Sequence, residues 1–258
     1  QERINEFLHL QPDIISGTNE RKKLNGEIEF SNVGFKYSDS GITALQDISF
    51  KVEEGKSLAI IGRTGSGKST IANLLLRMFD VTKGKILIDG IPIETWNLNS
   101  LRKQIGFVPQ DNFLFSDTIE NNIAFGLTDE VAEKDRNNKV ESAARLAVIY
   151  ENISDFPKGF KTILGERGIT LSGGQKQRVS IARAIIKEPA LLLFDDCLSA
   201  VDTRTEERIL QNLKEVMANR TSIIISHRVS TVKNADQIIV LDNGQIVEQG
   251  NHQSLTDL

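Results

Sequence analysis

A single cysteine, Cys197, stands among 258 residues, so no disulfide can close within the chain. Its scarcity suits a reducing compartment. No apolar stretch approaches the ~20 residues that a membrane-spanning helix needs. The strongest runs, 191–194 (LLLF) and 223–225 (III), have the length of buried strands. No signal-peptide pattern is present. Lys and Arg number 31 against 35 Asp and Glu, a net charge of −4 with no long basic run, which argues against a nucleic-acid partner. An initiating Met is also missing: the chain opens Gln1-Glu2-Arg3 in a stretch that already sets Ile4, Phe7 and Leu8 on one helical face. The expectation is an excised piece of a longer polypeptide. At 39% hydrophobic and 26% charged, the composition is that of a globular protein with one large domain, or a domain carrying a subdomain.

What the chain does have is residues 62–70, reading GRTGSGKST. The string fits G-x-x-x-x-G-K-[ST] and stands between an apolar run with strand character, 57–61 (SLAII), and a helix-like stretch, 71–79 (IANLLLRMF). Its residues, Gly62, Arg63, Thr64, Gly65, Ser66, Gly67, Lys68, Ser69 and Thr70, make a loop whose backbone N–H groups can curl around phosphate oxygens. The helix that follows adds its positive end. Lys68 is expected to reach the β- and γ-phosphates and Ser69 to ligate Mg²⁺.

Ahead of that loop, Ile28, Phe30, Val33, Phe35 and Tyr37, then Leu45, Ile48, Phe50 and Val52, alternate as an antiparallel β region. Pattern alone leaves Tyr37 open between core, surface and a ring presented to a base, and favours core. Behind it, 85–89 and 105–108 read as short strands. Next comes Pro109-Gln110-Asp111 before the aromatic cluster Phe113-Leu114-Phe115. Gln110 could face a nucleotide there, although a bare glutamine in such a place is more often an ordinary loop residue.

Residues 118–153 are helical in pattern and suggest an inserted subdomain, with Val140, Ala143, Ala144, Ala147, Val148 and Ile149 on its apolar side. Then 171–175 (LSGGQ) opens a helix over 176–187, offering either a second anion site or a mere turn. The strand 191–194 ends in Asp195-Asp196, where a P-loop fold holds a carboxylate that organises Mg²⁺. A helix at 203–217, a strand at 222–225 ending in Ser226-His227, and strands at 237–241 and 245–248 complete the alternation. The fold class read from this order is α/β: a P-loop NTPase (RecA-like) core with a mostly parallel sheet, an N-terminal antiparallel β subdomain and an inserted α-helical subdomain.

With LSGGQ in place, the chain resembles the nucleotide-binding domain of ATP-binding cassette (ABC) transporters, nearest to exporters that fuse this domain behind a membrane domain. The resemblance runs from about residue 26 to the end, with the motifs in family order. It implies that residues 1–24 are the end of a membrane-domain helix plus linker, that 25–258 are the nucleotide-binding domain, and that the helical subdomain spans about 112–187. By the same resemblance Tyr37 stacks on adenine and residues 62–70 are the Walker A loop. Gln110 is the Q-loop glutamine that touches Mg²⁺ and the γ-phosphate and senses the membrane domain. Glu166 lies in the segment facing the coupling helices, Asp195 is the Walker B carboxylate, and His227 is the switch histidine on the γ-phosphate. Leu171, Ser172, Gly173, Gly174 and Gln175 are the signature, which grips the ATP of a second such domain stacked head to tail. Ser199, Ala200, Val201 and Asp202 are the D-loop at that interface. Cys197 carries no family role and reads as a small filler.

The chain departs from the family at Asp196, where active members carry Glu as the base that polarises the attacking water. The shorter Asp withdraws the carboxylate by about 1 Å, a misplacement that can cost on the order of 100-fold in rate. The resemblance therefore extends to heterodimeric exporters with one Asp-Asp subunit, and favours a heterodimer over a homodimer. The function expected is ATP binding and hydrolysis, with Mg²⁺, driving export from the cytoplasmic face of a membrane. The alternative is a regulatory ATP-binding module that gates a channel or partner by dimerising. A DNA-repair or chromosome ATPase would bring long coiled-coil insertions, and the insert here lacks sustained heptads.

Overall fold

The computed structural model describes residues 12–20, 23–127, 132–165 and 171–256. The helix expected at the N-terminus and Glu166 lie outside the described residues. In chain order the elements are β1 (Ile28–Lys36), β2 (Thr43–Val52), β3 (Ser57–Gly62), α1 (Lys68–Leu75), β4 (Lys83–Ile88), β5 (Ile91–Pro92), α2 (Leu98–Lys103) and β6 (Ile105–Val108). After β6 come α3 (Ile119–Ala124), α4 (Glu133–Leu146), α5 (Tyr150–Ser154) and α6 (Gly173–Ile185). The chain closes with β7 (Leu191–Asp195), α7 (Thr203–Met217), β8 (Thr221–Ile225), α8 (Val229–Val232), β9 (Gln237–Asp242), β10 (Gln245–Gly250) and α9 (His252–Thr256).

Two sheets divide the strands. The antiparallel sheet runs β2-β1-β4-β5, and the larger sheet runs β10-β9-β3-β8-β7-β6. Every pairing in the larger sheet is parallel except β10 with β9. The antiparallel sheet buries the alternating face of β1 and β2, where Phe30 and Phe50 are register partners stacked with centroids 4.4 Å apart. The step of three from Phe30 to Val33 is a register shift around Asn32, whose φ of 49° adds one residue and returns Val33 to the core.

In β7, buried throughout, successive side chains serve different cores. Leu191 and Leu193 join α1 and the antiparallel sheet through Ile71, Leu74 and Leu75. Leu192 and Phe194 join the helices inserted before β7, together with α7. That is the period-2 geometry of a central strand covered on both sides.

The helical stretch 118–153 is broken into three. Thr118 caps α3 by accepting from the Asn121 N–H at 3.1 Å, and α4 ends at Leu146 with Ala147 as its C-cap, followed by Val148 at φ 56°. The P-loop helix α1 stops at Leu75, four residues short of its apolar pattern, because Arg77 turns to φ 49° and its guanidinium pairs with Asp80. Strand β4 joins the antiparallel sheet rather than the parallel one. The connector before β1 is fastened to this sheet: the Asp89 carboxylate accepts from the N–H groups of Asn25, Gly26 and Glu27 at 2.9–3.0 Å.

Candidate active site

Because β3, β8, β7 and β6 are parallel neighbours, their carboxyl ends share one edge of the sheet. From that edge issue the Gly62–Thr70 loop after β3, His227 after β8, Asp195-Asp196 at the end of β7 and Gln110 after β6. Parallel α/β sheets bind ligands at this edge. Here it opens into a cleft of about 490 Å³ lined by Thr64, Gly65, Gly67, Lys68, Ser69, Thr70, Gln110, Asp195, Asp196 and His227.

The loop's shape depends on its glycines. Gly67, at φ 102°, leads into α1, and a Cβ there would stand 2.5 Å from the Ala44 carbonyl oxygen. A Cβ on Gly62 would stand 2.1 Å from the Leu241 oxygen. No side chain caps α1; the Thr70 N–H turns back onto the Gly67 carbonyl at 3.1 Å, and the N–H groups of Lys68 and Ser69, at the positive end of the helix, are the ones open to an anion. Lys68 is buried and its Nζ donates to the carbonyls of Gly62 and Arg63 at 2.9 and 2.8 Å. Burial pulls its pKa down, opposed by the charges of Asp195 and Asp196.

Asp195 is buried at the strand end, and burial raises its pKa. Asp196 adds to the rise, while a hydrogen bond from Ser69, Lys68 and His227 oppose it. Ser69 and Asp195 are hard oxygen donors in contact, with Gln110 lining the same cleft, a set that fits Mg²⁺ shared with phosphate oxygens. Among the described residues no cluster of three His, Cys, Asp or Glu could hold a metal alone. Asp196 adopts φ 44°, with its N–H on the Ile225 carbonyl at 2.9 Å.

Tyr37 is half-buried and lines the cleft. Its ring meets Phe35 and Phe79 edge-on, and its hydroxyl lies 3.1 Å from the Thr70 hydroxyl. Sequence pattern favoured a core role, and the structure gives it both a packed edge and a cleft position. Ile42, Thr43, Ala44 and Gln46 extend this wall without any signal in the sequence. Neither did the sequence mark the Asn243-Gly244 turn as part of the cleft, where the Gly244 N–H reaches the Ser66 carbonyl at 3.1 Å.

The signature is placed elsewhere. None of Leu171, Ser172, Gly173, Gly174 and Gln175 lines the cleft. Ser172, exposed, is the N-cap of α6, which starts at Gly173 rather than at residue 176. The Ser172 hydroxyl accepts from the Gln175 N–H at 3.3 Å, and Gln175 Oε1 accepts from the Ser172 N–H at 2.9 Å. Gly174 abuts the D-loop, and a Cβ on it would stand 2.8 Å from the Ala200 oxygen. Asp202 caps α7 through the Thr205 N–H. Cys197 is buried, and burial pushes its thiol far above the usual range, so it packs and does not react.

Two residues outside every motif bind this region together. The Gln177 amide bridges to the Ser199 hydroxyl and the Ala200 N–H, and Arg228 donates to the Ser199 carbonyl while pairing with buried Glu206. Gln177 had a readable sign: a polar residue at the head of the apolar stripe 177, 181, 185 on α6.

A P-loop at the carboxyl edge of a parallel sheet, with a strand-end aspartate on its serine, defines a nucleoside-triphosphate site. The comparisons take the assignment further. Residues 45–199 match the ABC transporter family, to which the chain therefore belongs as its ATPase domain. The chain is 44% identical over 251 residues to an ATP-dependent lipid A-core flippase of Haemophilus influenzae, covering 97% of this chain and 42% of that protein. It is 53% identical over 231 residues to ATP-binding cassette sub-family B member 6 of Xenopus tropicalis, covering 90% and 26%. Among solved structures, a bacterial Atm1-family ABC exporter with ATP bound superposes with a TM-score of 0.92 at 43% identity, over 99% of this chain and 44% of that one. The chain thus spans less than half the length of these relatives.

Proposed function

We propose that the chain binds and hydrolyses MgATP to drive export, as the cytoplasmic-face domain of a membrane transporter. The observation that carries this is the split between the two halves of the machinery. One cleft gathers Lys68, Ser69, Gln110, Asp195, Asp196 and His227, while Leu171–Gln175 stands outside it. A signature that stands outside its own cleft with Ser172 and Gly173 exposed is what a head-to-tail pair requires, each nucleotide being closed over by the partner's signature. In that pair residues 62–70 cradle the phosphates, Lys68 leaves the loop carbonyls for the γ-phosphate, and Tyr37 faces the base. Ser69 and Asp195, with Gln110, would hold Mg²⁺, which would supply charge neutralisation on the phosphates. Asp196 takes the proton of a water whose oxygen bonds to the γ-phosphorus as the bond to the β,γ-bridging oxygen breaks, releasing ADP and phosphate, and His227 steadies the γ-phosphate.

Residues 1–24 would then be linker and membrane-domain helix, and the insert, about 112–187, the helical subdomain. A groove of about 870 Å³ between α2, β6 and α6, lined by Met78, Phe107 and Phe125 together with Arg102, Lys103 and Arg183, suits an amphipathic segment of the membrane domain. Phe125 is 64% exposed there.

Asp196 supports weak turnover in this chain's own cleft, and with it a heterodimer in which the partner carries Glu. In the full exporter with the partner's site silenced, Asp196→Glu should raise ATP turnover in this chain's own cleft roughly 10- to 100-fold. An unchanged rate would overturn the weak-site reading. Turnover in step with substrate movement supports the motor reading, and ATP-dependent dimerisation with no turnover favours a regulatory module.

A further inference from the structure

The signature helix and the residue that would polarise water are far apart in sequence, yet one short run of hydrogen bonds joins them. Gln177, buried in the second turn of α6, donates through Nε2 to the Ser199 hydroxyl at 3.1 Å and accepts the Ala200 N–H through Oε1 at 3.0 Å. The Ser199 hydroxyl donates in turn to the Asp196 carbonyl at 3.0 Å, to which the Ser199 N–H also points at 3.3 Å. Asp196 needs such restraint because its φ of 44° lies in the left-handed region, which costs a non-glycine residue on the order of 1 kcal/mol. Its N–H is fixed by the Ile225 carbonyl. Both peptide groups that aim the carboxylate are therefore tied, one to the sheet and one to α6 through Ser199 and Gln177.

Arg228 anchors the far side of the same loop by donating to the Ser199 carbonyl at 3.1 Å. Its partner Glu206 is buried and also accepts from the Thr231 hydroxyl at 2.8 Å. Gly174 closes the contact from the signature end, with its Cα hydrogen space filled by the Ala200 carbonyl. A displacement of the first turn of α6 thus has one polar route to Asp196.

We propose that Gln177 is a positioning residue: through Ser199 it couples the seating of a second nucleotide on the signature to the aim of Asp196 into this chain's own cleft. The inference rests on the composite-site reading above. Gln177 touches neither nucleotide. It makes each chain's two contributions, the signature lent to the partner and the base kept for itself, move together.

The test uses the full exporter carrying this chain, with the other cleft silenced by changing the partner's catalytic carboxylate to its amide, so that ATP turnover over a range of ATP concentrations reports this chain's own cleft. Gln177→Leu removes both hydrogen bonds, and Ser199→Ala removes the hydroxyl that relays them. Each should lower kcat roughly 10- to 100-fold while KM for ATP stays within about twofold, the cost of a misaimed group in an intact binding site. The double variant should be no slower than the slower single one, because both cut one relay. Turnover within about twofold of the parent, or a double variant whose losses multiply, would overturn the proposal. Should Gln177→Leu not fold, Gln177→Glu keeps the shape and draws the Ser199 proton away from Asp196, so it must show the same loss. Gly173→Glu on the exposed signature separates the two levels. If it leaves turnover intact, the composite-site reading fails and the coupling with it. If it abolishes turnover while Gln177→Leu and Ser199→Ala do not, only the coupling fails.

Discussion

The chain contains two glycine-and-serine helix starts, and they differ in what satisfies them. At α1 the N-cap is Gly67, in the left-handed region, with no side-chain cap. At α6 the N-cap is Ser172, and a complete capping box with Gln175 uses the N–H groups of Ser172 and Gln175. The first is a concave nest that needs a ligand for its N–H groups. The second is a side-chain-capped helix end on an exposed surface, able to meet a nucleotide only through contacts presented outward. Similar composition therefore yields two roles. In the composite site proposed above, one start receives this chain's nucleotide and the other contributes to a site completed by a second molecule.

The sharpest way to break this contrast is at the self-sufficient end. Lys68→Ala removes the ammonium from the nest and should lower kcat/KM for ATP by roughly 100- to 1,000-fold, the scale of losing one preorganised charged donor. ATP affinity, followed by fluorescence of a nucleotide analogue, should fall with it. The signature end should behave otherwise. Gly174→Ala pushes a methyl toward the Ala200 oxygen, only 2.8 Å from the Cβ position, and should cost turnover roughly 10- to 100-fold. Nucleotide affinity of the cleft should not change. A parallel loss of affinity would show that the two starts are not separable.

How much of this was legible in the sequence follows from which interactions are local. The phosphate loop reads directly because its glycine spacing, its lysine and its flanking strand and helix are contiguous. The two-sheet division reads through alternation in β1 and β2, and the parallel core through strands alternating with helices. Parallel order also places Asp195 and His227, since strand ends in one sheet must share an edge. The break after Ala147 was not readable: apolar periodicity continues across Val148, while the chain turns there through a left-handed backbone conformation that pattern does not encode. Nor did pattern show the wall formed by Ile42, Thr43, Ala44 and Gln46, because those residues reach the cleft only through the docking of the antiparallel sheet on the β9–β10 turn. Gln177 sits between these extremes, visible as a polar break in an apolar stripe but uninterpretable until its partner Ser199 is seen.

The smallest expected effect sharpens the comparison from the opposite end of α6. There Lys187 is half-buried with its Nζ on the Arg102 carbonyl at 3.2 Å, and burial lowers its pKa from 10.5 to about 8. Below about pH 8 the ammonium is charged in both folded and unfolded chains, and the folded chain bears the burial penalty. Between pH 8 and 10.5 the folded chain has released its proton while the unfolded chain retains it. The unfolded state then binds more protons, so stability must rise with pH through that window. The rise should be on the order of 1 to 3 kcal/mol. It should be absent from Lys187→Met, whose unfolding free energy from urea titrations at pH 7.5 and 10 is compared with that of the parent. The difference between the two proteins isolates Lys187 from other titrating groups. Equal pH slopes would show that this end of α6 is hydrated, and that its anchoring differs less from the exposed signature end than the burial of Lys187 implies.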